Sequence, residues 1–192
     1  SVSQAAAPTV KRVTLELGGK SANIILDDAD IAKAAKMAVY ACFNNSGQEC
    51  SSLSRLIVPA GARDEVVEVI TATMQRYSVG DPNDESIRCG PMVSARQQES
   101  VAGYIASGLS EGATLVAGGE GMPEGLESGF FVQPTVFADV TSEMAVFREE
   151  IFGPVLAMIP FDTEEEAIEI ANDTPYGLTN YVQTQDMGRA NR

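Results

Sequence analysis

The segment PVLAMIPF, at positions 154–161, is apolar at every position. A strand with one face in water alternates apolar and polar residues, whereas a strand covered on both faces is apolar throughout. Strands of the second kind belong to sheets that have helices packed against both faces. This segment therefore predicts a strand buried on both sides, and the rest of the chain must supply the helices that cover it.

Other short segments are rich in apolar and β-branched residues and are bounded by turn formers, which is typical of strands. These segments are VTLEL at 13–17, ANIILDD at 22–28, SRLIVP at 54–59, ATLVAGGEG at 113–121, GFFVQPTVFADV at 129–140 and GLTNYVQTQ at 177–185. Pro134 has no backbone N–H to donate, so it predicts an edge strand or a break in the segment that contains it.

Segments with helical periodicity lie between these strands. An apolar face recurs from Ile31 to Cys42, and Asp28 or Asp30 precedes it as a candidate cap. Further helices are predicted at 61–77, at 95–109 and from Thr163, which has the spacing of a capping box with Glu166. Because strands and helices alternate, the predicted fold class is α/β, with a largely parallel sheet flanked by helices.

The charge balance excludes some classes of partner. The chain has 13 basic and 27 acidic residues and a formal net charge of −14. Such a surface repels nucleic acid and anionic lipid, so neither is an expected partner. No apolar run is long enough to span a bilayer, and the first residues lack the pattern of a signal peptide. A cytoplasmic location is the expectation.

The cysteines and the lack of histidine restrict the possible chemistry. Three cysteines, at positions 42, 50 and 89, form neither a CxxC pair nor a dense framework, which indicates reduced thiols. Histidine, the commonest metal ligand and the usual general base, does not occur. We therefore predict no metal site, and a Cys–His catalytic pair cannot be built from this chain.

Cys50 is the candidate nucleophile, since it lies in the polar segment CFNNSGQECSS at 42–52. A thiol becomes reactive where nearby donors stabilise the thiolate, and Gly47 allows the backbone to approach a ligand closely. Backbone N–H groups around such a cysteine can also stabilise an oxyanion. Cys42 falls on the apolar helix face and is interpreted as a core residue, and Cys89 is interpreted as structural.

Glu16 is the candidate general base. It lies between Leu15 and Leu17 and directly precedes Gly18 and Gly19. In a partly apolar cleft its pKa would rise towards neutrality, where a carboxylate serves as a base. The alternative interpretation is a solvated carboxylate at the end of a strand.

Several segments together resemble signatures of the aldehyde dehydrogenase superfamily. LELGGKSA at 15–22 resembles the segment that holds the general-base glutamate of that family, and FNNSGQECS at 43–51 resembles the segment of its nucleophilic cysteine. EEIFGPV at 149–155 resembles its nicotinamide-ribose contact. AAAPTVKRV at 5–13 and NDTPYGLTNYV at 172–182 also follow the family pattern, and the resemblance covers essentially the whole chain.

The resemblance implies an enzyme that oxidises an aldehyde to a carboxylic acid with NAD or NADP. Cys50 would attack the aldehyde to form a thiohemiacetal, hydride transfer to the nicotinamide would leave a thioester, and Glu16 would activate the water that hydrolyses it. A carboxylate suffices as the base because only water needs activation.

The cofactor residues implied by the resemblance are Glu150 on the nicotinamide ribose, Phe152 packed beside it, the Leu17 carbonyl on the nicotinamide amide, and Gln97. In some members a lysine follows that glutamine three residues later, and Ser100 stands there in this sequence.

The resemblance also implies the domain organisation. Residues 1–19 would be the tail of the cofactor-binding domain, and residues 20–192 would be the catalytic domain, truncated at its C-terminal end. Most of the cofactor domain would lie upstream, so the isolated chain is expected to bind NAD poorly and to be weak or inactive. The parent protein is expected to be a homodimer or homotetramer.

Three alternatives remain open from the sequence. A coenzyme A-acylating member of the superfamily would pass the thioester to coenzyme A, although Glu16 disfavours it. A binding or structural relative would have lost catalysis, and a cysteine hydrolase would act without nicotinamide. The aldehyde itself is not specified. Glu49 beside the candidate nucleophile disfavours an acidic aldehyde through like-charge repulsion if its side chain faces the site, and the alternative is that this side chain points away.

Overall fold

A computed structural model that describes all 192 residues contains one six-stranded sheet. The strands are β1 (Ala22–Ile25), β2 (Arg55–Pro59), β3 (Thr114–Ala117), β4 (Thr135–Ala138), β5 (Val155–Phe161) and β6 (Tyr181–Gln183). Their order in the sheet is β3-β4-β5-β2-β1-β6. Only β3 and β4 pair in antiparallel fashion, and every other neighbouring pair is parallel. The predicted α/β fold with a largely parallel sheet is confirmed.

Helices cover both faces of this sheet. The helices of the chain are α1 (Val2–Ala6), α2 (Ile31–Phe43), α3 (Arg63–Met74), α4 (Ala95–Ser110), α5 (Ala145–Arg148), α6 (Glu164–Asn172) and α7 (Met187–Ala190), and α2 to α6 are the ones that cover the sheet. One buried cluster joins the sheet to α2 and α3, and a second cluster joins it to α4, α5 and α6.

The strand β5 contributes to both clusters, as its apolar sequence predicted. Leu156 and Met158 belong to the cluster with α2 and α3, while Val155, Ala157 and Ile159 belong to the cluster on the other face. Successive side chains of a strand point to opposite faces, so an uninterrupted apolar run fills both layers.

The helix caps agree with the sequence in part. Asp30, rather than Asp28, caps α2 by accepting a hydrogen bond of 3.0 Å from the Lys33 N–H. Thr163 caps α6 by accepting from the Glu166 N–H at 3.2 Å, but the Glu166 carboxylate accepts from the N–H of Asp162, one residue before the cap. The return hydrogen bond of the predicted capping box therefore comes from the N–H of Asp162 and not from that of the cap residue Thr163.

One strand prediction needs correction. The segment VTLEL has no regular secondary structure, because no strand of this chain lies beside it, and Leu15 and Leu17 remain 55% and 62% exposed.

Pro134 was predicted to mark an edge strand or a break, and the break is confirmed. The strand β4 lies between β3 and β5 and begins directly after Pro134, where the missing N–H removes no bond from the ladder.

Arg55, in β2, is fully buried and joins the sheet to two other segments. Its guanidinium donates to the carbonyls of Lys20 at 2.9 Å, Ile170 at 2.8 Å and Ala171 at 2.8 Å. The last two carbonyls lie at the C-terminal end of α6, where a cation also interacts favourably with the helix dipole. Arg55 therefore fixes the chain that follows Gly19 against the sheet.

No helix of the structure is both long and apolar enough to cross a membrane.

Candidate active site

Cys50 lies in the loop that connects α2 to β2. A 3₁₀ turn after α2 contains Asn45, Ser46 and Gly47, whose φ values are 48, 58 and 71°. A Cβ atom on Gly47 would collide with the backbone carbonyl of Gly153, so the loop packs directly on the segment before β5. Cys50 follows this turn with a free, half-buried thiol.

The paired glycines of the LELGGKSA segment meet this loop. A Cβ atom on Gly19 would overlap the backbone carbonyl of Cys50, and one on Gly18 would overlap the Glu150 carboxylate. The Gly19 N–H also donates a hydrogen bond of 3.0 Å to Oε1 of Glu150. Close approach to backbone therefore requires a glycine at position 19, whereas at position 18 the flexible Glu150 side chain could move aside. The two glycines bring three distant segments of sequence into contact.

Gln97 fixes the backbone beside Glu150. Its side-chain amide donates to the carbonyls of Ile151 at 3.1 Å and Phe152 at 3.0 Å. Phe152 has a left-handed φ of 54° and a ring that is 39% exposed. Gln97 was predicted to contact a cofactor, which stays a prediction, and within the chain its amide holds the loop that presents Glu150 and Phe152.

The predicted base Glu16 and the predicted cofactor contact Leu17 directly precede the paired glycines of this cluster. Both are exposed, in the segment without regular structure. Glu16 precedes Gly19 by three residues, so their Cα atoms are no more than about 11 Å apart. The structure thus brings together Cys50, Glu150, Phe152 and, through the backbone, Gln97, and no hydrogen bond joins Glu16 to Cys50.

Lys20 is a buried residue that the sequence analysis did not single out. Its side chain is 2% exposed, and its Nζ has no hydrogen-bond partner. Burial, which disfavours the charged form, lowers the pKa of Lys20 to about 7. The only available signal was its position between paired glycines and the buried strand β1.

Cys42 and Cys89 are buried, in agreement with their interpretation as structural residues. Burial raises the pKa of the Cys42 thiol to about 12, and a hydrogen bond from Ser52 opposes this shift. The Ser52 hydroxyl also donates to the Cys42 carbonyl at 2.9 Å, which connects the end of α2 to the residues after Cys50. Of the three thiols, only that of Cys50 has partial access to solvent.

A cavity of about 440 Å³ adjoins the loop of Cys50. Glu49 and Ser51, the residues on either side of Cys50, both line it. Glu49 also lines a shallow cleft on the other side of the loop, which Glu150 and Phe152 border. The residues beside the candidate nucleophile therefore border a cavity large enough for a small organic molecule and the cleft of the predicted cofactor residues, whereas Cys50 itself lines neither.

The comparisons with known proteins agree with this arrangement. The model of the aldehyde dehydrogenase family matches residues 1–192. A 3-succinoylsemialdehyde-pyridine dehydrogenase from Pseudomonas sp is 52% identical over 98% of this chain and 40% of its own length. A betaine aldehyde dehydrogenase from Rhizobium etli is 48% identical over 100% of this chain and 39% of its own length.

A solved structure is also closely similar. The crystal structure of a mutant of aldehyde dehydrogenase C from Pseudomonas syringae, in complex with NAD⁺ and octanal, superposes with a TM-score of 0.94 at 51% identity. That match covers 99% of this chain and 39% of the other. The chain spans about 40% of the length of the relatives it matches. By both sequence and structure, it belongs to the aldehyde dehydrogenase family.

Proposed function

We propose that the whole protein oxidises an aldehyde to a carboxylic acid with NAD or NADP, and that Cys50 is the nucleophile. The observation that carries this proposal is the packing of Gly19 on the Cys50 carbonyl, combined with the hydrogen bond from the Gly19 N–H to Glu150. These contacts unite the three segments in which the family's nucleophile, base and ribose contact are expected. The NAD⁺ and octanal bound to the Pseudomonas syringae relative support the same reaction.

Cys50 performs the covalent steps in this proposal. Its thiolate sulfur bonds to the aldehyde carbon while the carbonyl π electrons move to oxygen, where the Cys50 backbone N–H stabilises the oxyanion. The oxyanion re-forms its double bond as hydride leaves the carbon, and a thioester to Cys50 remains. Water then adds to the thioester, the sulfur leaves as thiolate, and the carboxylic acid is released.

The residues present fit a nicotinamide cofactor, which supplies the hydride acceptor when it is bound. Glu150 keeps one carboxylate oxygen on the Gly19 N–H, which leaves the other free to accept a hydrogen bond from a ribose hydroxyl. Phe152 presents an exposed ring beside it, and Gln97 fixes the backbone of both. We assign Glu150 and Phe152 to the ribose and Gln97 to the support of their loop.

We assign Glu16 as the base that removes a proton from the attacking water, and the Leu17 carbonyl as a contact to the nicotinamide amide.

We further infer that residues 1–19 belong to the cofactor-binding domain and residues 20–192 to the catalytic domain. Exposed apolar side chains support this division, since Val10, Leu15 and Leu17 are 92%, 55% and 62% exposed and need a covering surface. We also propose a cytoplasmic location, with which the three free thiols are consistent. The proposed oligomeric state of the whole protein is a homodimer or homotetramer.

The test uses the whole protein that carries this chain, with a panel of aldehydes and both nicotinamide cofactors. Formation of reduced nicotinamide is expected, and Cys50→Ala should abolish it. Glu16→Gln should leave an acylated Cys50 that accumulates, visible as a mass increase equal to the acyl group. Acyl-coenzyme A as the product, formed only with added coenzyme A, would favour the acylating alternative. Turnover that survives Cys50→Ala would refute the assignment of the nucleophile.

A further inference from the structure

The turn ahead of Cys50 has an unusual backbone. Asn45 and Ser46 have left-handed φ values of 48° and 58°, a region that residues with a side chain seldom adopt. Such residues persist only where the surrounding structure holds them, and they concentrate at functional sites. Because Cys50 follows this turn within a few residues, the contacts that hold the turn also set the position of the thiol.

Two side chains of the turn attach it to one segment that is distant in sequence. The Ser46 hydroxyl donates a hydrogen bond of 3.0 Å to the Gly90 carbonyl. Oε1 of Gln48 accepts from the Val93 N–H at 2.9 Å, and its Nε2 donates to the Pro91 carbonyl at 3.4 Å. Since Ser46 is only 4% exposed, loss of its partner would leave a buried hydroxyl unsatisfied. The turn is therefore fixed by contacts outside its own loop.

The segment that receives these bonds is itself anchored. Met92 is buried in the core, and its N–H donates to the Phe130 carbonyl at 2.8 Å. Ser94 caps α4 by accepting from the Gln97 N–H at 3.3 Å, so the segment continues directly into that helix. We call residues 90–97 the support segment.

The support segment also holds the cofactor loop, residues 149–153. From the first turn of α4, the Gln97 amide donates to the carbonyls of Ile151 and Phe152 at 3.1 and 3.0 Å. In the proposed reaction a hydride moves from a carbon bonded to the Cys50 sulfur to a nicotinamide at this loop. The rate of such a step depends steeply on how the reacting groups are placed. One segment thus fixes both the nucleophile loop and the cofactor loop.

We propose that Gln48 and Ser46 are positioning residues, which fix the Cys50 sulfur relative to the cofactor loop through the support segment. This inference rests on the proposed function, because it assigns the two side chains to the geometry of hydride transfer. Neither side chain needs to contact the aldehyde or the cofactor. Loss of the Gln48 contacts should therefore lower turnover without weakening cofactor binding, since the bonds from Gln97 to the cofactor loop remain.

Substitution of Gln48 in the whole protein provides the test. Gln48→Met removes both hydrogen bonds at similar side-chain length, and kcat should fall by about 100-fold while the KM for the cofactor changes by less than about threefold. Gln48→Glu keeps the acceptor for the Val93 N–H and should retain kcat within about threefold of the wild type. Gln98→Met is the matched control, because the Gln98 amide donates to the Phe131 carbonyl at 2.8 Å and to neither loop. An equal loss of kcat in Gln98→Met would show a general structural effect and overturn the inference.

Alkylation of Cys50 by iodoacetamide tests the position of the thiol without turnover. Cys42 and Cys89 are buried, so the first mass increase of one adduct reports Cys50. Gln48→Met and Ser46→Ala should react at least about fivefold faster than the wild type, because a released turn exposes a half-buried thiol.

The two measurements separate failure of this inference from failure of the proposed function. If the wild type oxidises aldehydes but Gln48→Met leaves either kcat or the alkylation rate unchanged, the positioning role is refuted while the proposed function stands. If the wild type oxidises no aldehyde but Gln48→Met accelerates alkylation, the proposed function is refuted while the attachment of Cys50 to the support segment stands.

Discussion

The backbone N–H of Gly19 donates a hydrogen bond of 3.0 Å to Oε1 of Glu150, although the two residues are 131 positions apart in sequence. On its other side Gly19 touches the carbonyl of Cys50, and a Cβ atom there would overlap it. A single glycine thus sets the spacing between the candidate nucleophile and the candidate ribose contact.

Gly19→Ala should displace the Cys50 loop. The new methyl group meets backbone rather than a flexible side chain, so the loop must move, and a shift of about 1 Å at a reacting group lowers the rate by about 100-fold. We expect a loss of kcat of this order in the whole protein, measured by formation of reduced nicotinamide. Gly61→Ala is the matched control, since nothing lies within 4 Å of its Cβ position. Equal activity in the two variants would contradict the packing of Gly19 on Cys50.

Glu150→Gln should weaken cofactor binding in the whole protein. The amide can still accept from the Gly19 N–H, but it loses the charge that strengthens a hydrogen bond to a ribose hydroxyl. The expected result is a rise in the KM for the nicotinamide cofactor of about tenfold, determined at saturating aldehyde. Glu149→Gln tests the specificity of this effect, because the Glu149 carboxylate accepts from the Tyr104 hydroxyl at 2.6 Å and faces α4 instead. A similar KM in both variants would remove the ribose assignment.

Arg55→Met should strongly destabilise the fold. The substitution leaves the carbonyls of Lys20, Ile170 and Ala171 without the donors that now satisfy them in the interior. Loss of several buried hydrogen bonds to a charged group costs about 3–5 kcal/mol of unfolding free energy. Urea unfolding followed by circular dichroism measures this change. Arg76→Met, at an exposed position of the same residue type, should unfold at nearly the wild-type urea concentration.

Lys20 should make stability depend on pH. Burial is the largest cause of its lowered pKa, about 7 in the folded chain against 10.5 ordinarily. Between these values the unfolded chain binds a proton that the folded chain has released, so the unfolding free energy should rise with pH above 7 by at most about 1.4 kcal/mol per pH unit. Below pH 7 both states are protonated, and the buried charge then opposes folding.

The measurement is urea unfolding between pH 6 and pH 9, with Lys20→Met as the comparison. The variant should be the more stable protein at pH 6 and should lack the Lys20 part of the slope. Data above pH 9 are less informative, because the raised pKa of Cys42 makes the unfolded state release a proton there and lowers stability. Parallel pH profiles for the two proteins would show that Lys20 does not titrate in this range.

The isolated chain should bind NAD weakly. The cofactor contacts proposed for it are Glu150, Phe152 and the exposed segment around Leu17, and they do not include a glycine-rich turn that opens a helix for the pyrophosphate. Calorimetry with the 192-residue chain is therefore expected to show no saturation at cofactor concentrations up to about 1 mM, where binding contributes only about 4 kcal/mol. Submicromolar binding would mean that the chain itself contains a complete cofactor site.

Predictions from local sequence patterns were confirmed where the tertiary neighbours of a segment stabilise the same secondary structure that its sequence favours. The uninterrupted apolar run of β5, the apolar face of α2 and its cap at Asp30 are each specified by residues within a few positions of one another. The segment at 13–17 shows the limit of such patterns. Its composition is strand-like, but a strand exists only where another strand accepts its hydrogen bonds, and none lies beside it in this chain.

The residues of the candidate site show the same difference between what local sequence predicts and what tertiary contacts decide. The sequence alone predicted catalytic and cofactor roles for Cys50 and Glu150, because each lies in a contiguous motif whose residues are recognisable without the fold. Only the tertiary structure revealed that Arg55 is a buried connector, that Lys20 is buried without a partner, and that Tyr40 and Tyr181 line one cavity with Glu49. Burial and shared cavities depend on contacts between residues more than 100 positions apart, and such contacts form only when the sheet brings its strands together.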